Sequence, residues 1–224
     1  MKAKPNKGQA ELLRRIIESK EKYMPKLIIR DYGVRSNRLY VKGEIHVTVS
    51  YDFYLKYVKR YSQPKGNLIG GVDVNSDRVN LAIIDKDGKL RDKKTFWFRD
   101  VTARGYSRRK AWSIIDMRIH EMLRYAYHHG VSTIALENPE IIGRLRFFWT
   151  KNGKRLHENY NWRVNIFRSR IIERIAMKTP IYGLHVKYVN PKGTTRSKEH
   201  DEMMKRHGLY GHTASAYLIA LKSI

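Results

Sequence analysis

Two acidic residues stand at the ends of apolar runs. Asp73 closes Leu68-Ile69-Gly70-Gly71-Val72, and Glu137 closes Ile134-Ala135-Leu136. Short apolar runs bounded by polar residues are the pattern of buried strands. The two acids lie 64 residues apart (137 − 73), which leaves room for a hairpin series and a crossover helix. If their strands are neighbours, both carboxylates arrive at the same edge of one sheet. A pair placed there repels unless a hard cation bridges it, and oxygen ligands are those that Mg²⁺ or Mn²⁺ prefers. Two such ions about 4 Å apart can stabilise the attacking and leaving oxygens of phosphodiester hydrolysis. Position alone also fits two ordinary strand-end acids.

The elements around the acids have to bring them together. Residues 68–74 read as an apolar strand ending on Asp73. Residues 79–84 and 95–98 read as two more strands, with Asp87-Gly88 as a hairpin turn between them. Over 109–128 the residues Trp112, Ile115, Ile119, Met122, Leu123 and Ala126 share one helical face. A buried strand over 131–136 leads into Glu137, a second long helix spans 162–178, a strand covers 184–189, and a small-residue helix covers 213–222. Upstream, Leu12, Leu13, Ile16 and Ile17 give an amphipathic helix within 10–24. Between 26 and 54 the period falls to two, which predicts three short strands with turns at Gly33 and Gly43. Residues 61–67 carry turn formers without apolar rhythm and read as a linker. The expected architecture is α/β: a mixed sheet flanked by helices over 67–224, with a small N-terminal helix-plus-β subdomain over 1–66.

Charge then indicates the partner. Among 224 residues, Lys plus Arg number 46 and Asp plus Glu 21, a net charge of +25. Such an imbalance makes the protein repel itself in dilute salt and attract polyanions. The apolar runs are far too short to span a membrane, and no charged-then-apolar segment opens the sequence, so the expectation is a cytoplasmic protein that binds nucleic acid and no membrane. The sequence has no cysteine, which excludes disulfides, iron–sulfur clusters, thiolate catalysis and cysteine-ligated zinc.

The wording around the acids carries a resemblance. Gly71-Val72-Asp73-Val74-Asn75 with Asn80-Leu81-Ala82 resembles the first RuvC motif of the transposon-associated TnpB (OrfB) proteins and of the related type V CRISPR nucleases, and Ala135-Leu136-Glu137-Asn138 resembles the second. Asn161-Trp162 through Lys178, Val186 to Pro191 and Thr194-Thr195-Arg196-Ser197 resemble the stretch that follows the second motif. Gly211-His212-Thr213-Ala214-Ser215-Ala216 sits where the third motif belongs, and the likeness covers roughly 68–222. It implies an RNase H-like (RuvC-type) sheet and a metal-dependent endonuclease acting on DNA, with Asp73, Glu137 and His212 as catalytic metal ligands for two Mg²⁺ or Mn²⁺ ions and a guide RNA as a candidate partner. The family's third motif usually begins with Asp; here His212 holds that place, with Asp201 and Glu202 as nearby alternatives. The family's cysteine zinc ribbon is absent and the N-terminal region is short. A catalytically silent derivative that only binds DNA or RNA is the alternative.

Basic residues supply candidate phosphate contacts. Arg163, Arg170 and Arg174 are spaced to share a stripe on the 162–178 helix, beside an apolar face of Val164, Phe167, Ile171 and Ile175. Arg104, Arg108, Arg109 and Lys110 cluster before the 109–128 helix, where the resemblance places a heteroduplex contact. Arg144 and Arg146, beside Phe147, Phe148 and Trp149, combine charge with rings able to stack bases. Thr194, Thr195 and Ser197 offer hydroxyls to a phosphate or build a turn.

Overall fold

A computed structural model describes residues 4–58, 61, 64, 66–102, 106–141, 155–195 and 197–224, without the side chains of 58, 102 and 155–166. The chain divides into two compact units, residues 1–59 and 60–224.

The first unit holds α1 (Lys7–Glu18), β1 (Tyr23–Arg35), β2 (Arg38–Val49) and α2 (Tyr51–Val58). Asn6 and Gln9 close a reciprocal capping box on α1, which satisfies backbone donors left free at a helix start. Where three short strands are expected, there are two long antiparallel ones joined at Ser36-Asn37, both with positive φ. Gly33 and Gly43 lie inside these strands, not at turns. The register shifts between Ile29 and Asp31, leaving Arg30 as a bulge. Counted along the register, one face carries Tyr23, Leu27, Ile29, Tyr32 and Val34 opposite Val49, Ile45, Gly43, Val41 and Leu39. The other face is largely polar, with Lys26, Asp31, Lys42, Glu44 and His46.

The second unit is built on β3 (Leu68–Val74), β4 (Arg78–Ile84), β5 (Leu90–Trp97), α3 (Arg108–His128), β6 (Val131–Glu137), α4 (Arg155–Lys178), β7 (His185–Val189), α5 (Lys198–His207) and α6 (Gly211–Leu221). The sheet order is β5-β4-β3-β6-β7; β4 runs antiparallel to both neighbours, and β3, β6 and β7 run parallel. Three meander strands followed by two parallel crossovers, with the first strand central, is the RNase H-like arrangement. In this unit the expected strands are present, with the one expected at 95–98 running instead over Leu90–Trp97. Helix α5 has Met203 and Met204 as its only apolar residues, both packed against the sheet's second cluster, and so lacks the apolar rhythm that would have announced it.

Strand alternation separates the two faces. Val72, Val79, Leu81, Ile83, Ile134 and Leu136 turn toward α3 and α4, meeting Ile115, Ile119, Met122, Leu123, Ile171 and Ile175 in one buried cluster. Ala82 and Ile84 turn the other way, with Ala214, Ala216, Tyr217 and Ala220 of α6. This second contact is close because Gly71 has no side chain: a Cβ there would lie 2.1 Å from the Ala216 carbonyl oxygen and 2.4 Å from the Ala220 nitrogen. Among the described residues, no helix is long and apolar enough to cross a membrane.

Candidate functional site

The register decides where the acids meet. Gly71 pairs with Ala135 and Val72 with Leu136 in the parallel β3–β6 ladder, so Asp73 and Glu137 occupy successive positions at the carboxyl ends of the two central strands. Both fall on the α6 side of the sheet. Neighbouring strands run about 4.8 Å apart, which sets the scale of their separation. Asp73 is 4% exposed and Glu137 7%. A buried carboxylate needs partners, and each acid has its own.

Asp73 Oδ2 accepts from Asn75 Nδ2 at 2.7 Å and Asn80 Nδ2 at 3.3 Å. The Asn80 amide oxygen in turn accepts from Thr95 Oγ1 at 2.9 Å and from the Tyr210 hydroxyl. His212, second residue of α6, places Nδ1 3.3 Å from Asp73 Oδ2 and 3.2 Å from Asn75 Nδ2. The Asp73 oxygen accepts and the Asn75 amide nitrogen donates, so the two neighbours compete for Nδ1 in opposite roles. His200, buried beneath the start of α6, holds the Gly211 carbonyl oxygen at 2.8 Å and so steadies the turn that carries His212.

Glu137 Oε1 accepts from Thr194 Oγ1 at 2.7 Å. Burial pushes its carboxyl above the ordinary range and the negative charge of Asp73 adds to the push, while the Thr194 hydroxyl, Arg168 and Lys222 pull the other way. Arg168 of α4 reaches Asp73 Oδ1 through Nη2 at 3.7 Å.

The structure thus gathers Asp73, Glu137 and His212 at one end of the sheet. Asp201 and Glu202, the alternatives for the third position, are exposed on α5. Asn75, Asn80, Tyr210, Thr194 and Arg168 were not assigned to the site from sequence; Thr194 was read only as a turn or phosphate hydroxyl. Arg168 carried a signal all the same. It sits at i+4 from Val164 and i−3 from Ile171, inside the apolar seam of its helix, where a charge is out of place.

The basic candidates divide. Arg108, Arg109 and Lys110 are exposed in the first turn of α3, which Ser107 caps by accepting from the Lys110 backbone nitrogen. Lys110 Nζ lies 5.1 Å from the Tyr106 ring centroid. Arg170 is exposed on α4. Arg174 is engaged inside the unit: Nη1 lies 2.6 Å from Asp116 Oδ2, and its guanidinium sits 4.4 Å from the Trp112 ring centroid. Arg104, Arg144 and Arg146 lie outside the described residues, as does the side chain of Arg163. Arg78 and Arg99 stack on Trp97, at 4.5 and 3.9 Å from its centroid.

No family model matches the sequence. Two uncharacterized proteins of Aeropyrum pernix are each 56% identical over 218 residues, which is 97% of this chain and 59% and 52% of theirs. An uncharacterized protein of Saccharolobus solfataricus is 37% identical over 186 residues, 82% of this chain and 48% of its own. The chain therefore spans about half the length of the curated relatives it matches. Among solved structures, T. thermophilus RuvC in complex with a Holliday junction substrate aligns with a TM-score of 0.45 and 14% identity, covering 70% of this chain and 91% of that one. A Cas12f1–sgRNA–target DNA complex aligns with a TM-score of 0.46 and 12% identity, covering 97% of this chain and 49% of that one. The fold assignment rests on the strand order, to which likenesses this distant add nothing.

Proposed function

We propose that the protein is a divalent-metal-dependent nucleic-acid endonuclease of the TnpB/RuvC-like class, transposon-associated and acting on DNA. One observation carries the reading: two buried carboxylates side by side at the ends of the two central parallel strands, with an imidazole 3.3 Å from one of them. A structural role does not call for such an arrangement, because one buried acid raises the cost of ionising the other.

The donor chemistry suits a hard cation. Two buried carboxylates side by side are ligands of the kind that Mg²⁺ or Mn²⁺ prefers. Among the described residues, no group of three or more His, Asp or Glu side chains is arranged to hold a metal, so the two carboxylates are the ligands this geometry supplies. A bound divalent ion supplies an activated water and neutralises charge on a phosphate. The residues do the rest. Asn75 and Asn80 fix the orientation of the Asp73 carboxylate, and Thr194 fixes that of Glu137. Arg108, Arg109 and Lys110 put positive charge at a helix start, where the dipole is already positive, an arrangement that a backbone phosphate would relieve.

The test is cleavage of single- and double-stranded DNA and RNA with Mg²⁺ or Mn²⁺. Asp73→Ala and Glu137→Ala should each lower the rate at least about 100-fold while affinity for the uncut substrate stays the same or rises. Wild type that neither cuts any substrate nor binds Mn²⁺ in calorimetry would leave the second reading, a silent derivative that binds DNA or RNA. The arginine beside Asp73 favours that alternative. Sequencing the nucleic acid that co-purifies decides whether a guide RNA is a partner.

A further inference from the structure

Arg168 has more hydrogen-bonding capacity than its surroundings use. Its side chain is 12% exposed, and Nε is buried without a hydrogen-bond partner among the described residues. A guanidinium carries five N–H donors in a planar fork, and here the described contact is one loose approach to Asp73 Oδ1 at 3.7 Å. Burial of a cation with so few bonds is costly. Other arginines of the unit are better served: Arg174 has Asp116 and Trp112, and Arg91 holds Asp85 at 2.6 Å. Arg78 and Arg118 also have a sealed Nε, but their ion-pair partners are Asp77 and Glu121 and not the carboxylate pair.

We propose that Arg168 is a phosphate-binding residue of this site, whose guanidinium fork engages non-bridging oxygens of the nucleic-acid phosphate arriving at Asp73 and Glu137. The inference rests on reading the site as one that receives nucleic acid. The fork matches two phosphate oxygens at once, a geometry that a lysine cannot reproduce. Its hold on Asp73 is loose enough to be exchanged for that anion.

The experiment is equilibrium binding of fluorescein-labelled single-stranded and duplex oligonucleotides to the full chain across a NaCl series. Arg168→Gln should lose roughly tenfold in affinity at low salt and reduce the log–log salt slope by about one. Arg168→Lys should keep the slope and lose about threefold, since a point charge replaces the fork. A folded Arg168→Gln protein with wild-type affinity and slope overturns the proposal and leaves Arg168 as a structural partner of Asp73. Should the Gln variant fail to fold, wild-type affinity in Arg168→Lys overturns the fork in the same way. The two readings fail separately. A wild type that cleaves while Arg168→Gln binds unchanged sinks only this inference. A wild type that does not cleave, with a reduced slope in Arg168→Gln, keeps the phosphate site and removes the reaction.

Discussion

The β1–β2 hairpin and the β3–β6 core of the second sheet are both rich in Val, Ile and Leu, yet they end in opposite conditions. In the core, each strand has helices or side chains over both faces, and Leu81, Ile83, Ile134 and Leu136 are sealed from solvent. In the hairpin, no residue of either strand is buried, and Tyr32, Val34 and Leu39 are about 70% exposed at 73%, 68% and 75%. The same amphipathic logic therefore gives a site in one place and a bare surface in the other. Water must be excluded on both sides before a buried carboxylate becomes chemically unusual. Asp73 and Glu137 meet that condition; Asp31 and Glu44 of the hairpin, exposed on its polar face, do not. Two-stranded ribbons without a covered face are marginal on their own, so the stability of the protein resides in the second unit.

The contrast can be tested by substitution. The largest effect is expected at Gly71→Val, because any side chain there must displace the backbone of α6. The loss should exceed about 3 kcal/mol, read as a collapse of the thermal transition together with loss of the His212–Asp73 contact. Next is Leu81→Ala, which opens a cavity among fully buried neighbours and should cost about 2–5 kcal/mol in denaturant unfolding. A smaller change of opposite sign is expected at Glu137→Gln. Its carboxyl is raised in the folded protein, so the folded state holds a proton that the unfolded chain, titrating near 4.5, has released. Stability from this group is present below that value and falls as pH rises through the raised value. Replacing it by Gln removes that loss, so the melting temperature at neutral pH should rise by a few degrees in metal-free buffer and its decline above pH 4.5 should flatten. Added Mn²⁺ should stabilise wild type and not this variant. Smallest of all, Leu39→Ser on the hairpin should change stability by less than about 0.5 kcal/mol, since the side chain is already 75% exposed. A hairpin substitution as costly as Leu81→Ala would erase the distinction between the two regions.

Much of this was legible in the sequence because strands announce themselves by pattern. Apolar runs ending in Asp73 and Glu137 gave the central pair, and His212 came only from the resemblance of 211–216 to the third RuvC motif. The positions that complete the site were hidden for a physical reason. Asn80 reaches Asp73 across a hairpin, Tyr210 reaches Asn80 from 130 residues away, and Arg168 reaches Asp73 from a helix packed on the opposite face of the sheet. Such contacts are made by tertiary folding and leave no local period. Arg174, spaced as a surface stripe, is held instead by Asp116 of the neighbouring helix, a partner that no helical wheel contains. The hairpin was read as three strands because Gly33 and Gly43 look like turns, whereas each has a cross-strand partner: Gly33 opposite Tyr40 and Gly43 opposite Ile29.

The bulge at Arg30 makes the hairpin's two-sidedness a matter of parity. Before it, the apolar face of β1 is odd-numbered, at Tyr23, Leu27 and Ile29; after it, the face is even-numbered, at Tyr32 and Val34; along β2 it is odd throughout. One unpaired residue switches the count and keeps both halves in phase. Length changes in this hairpin are therefore not equivalent. Removing Arg30 alone leaves a regular ladder with both faces as they are, whereas removing one paired residue of β1 puts everything between it and the turn on the wrong face. Homologous hairpins that vary in length should do so by even steps, or by single steps that carry a bulge of their own.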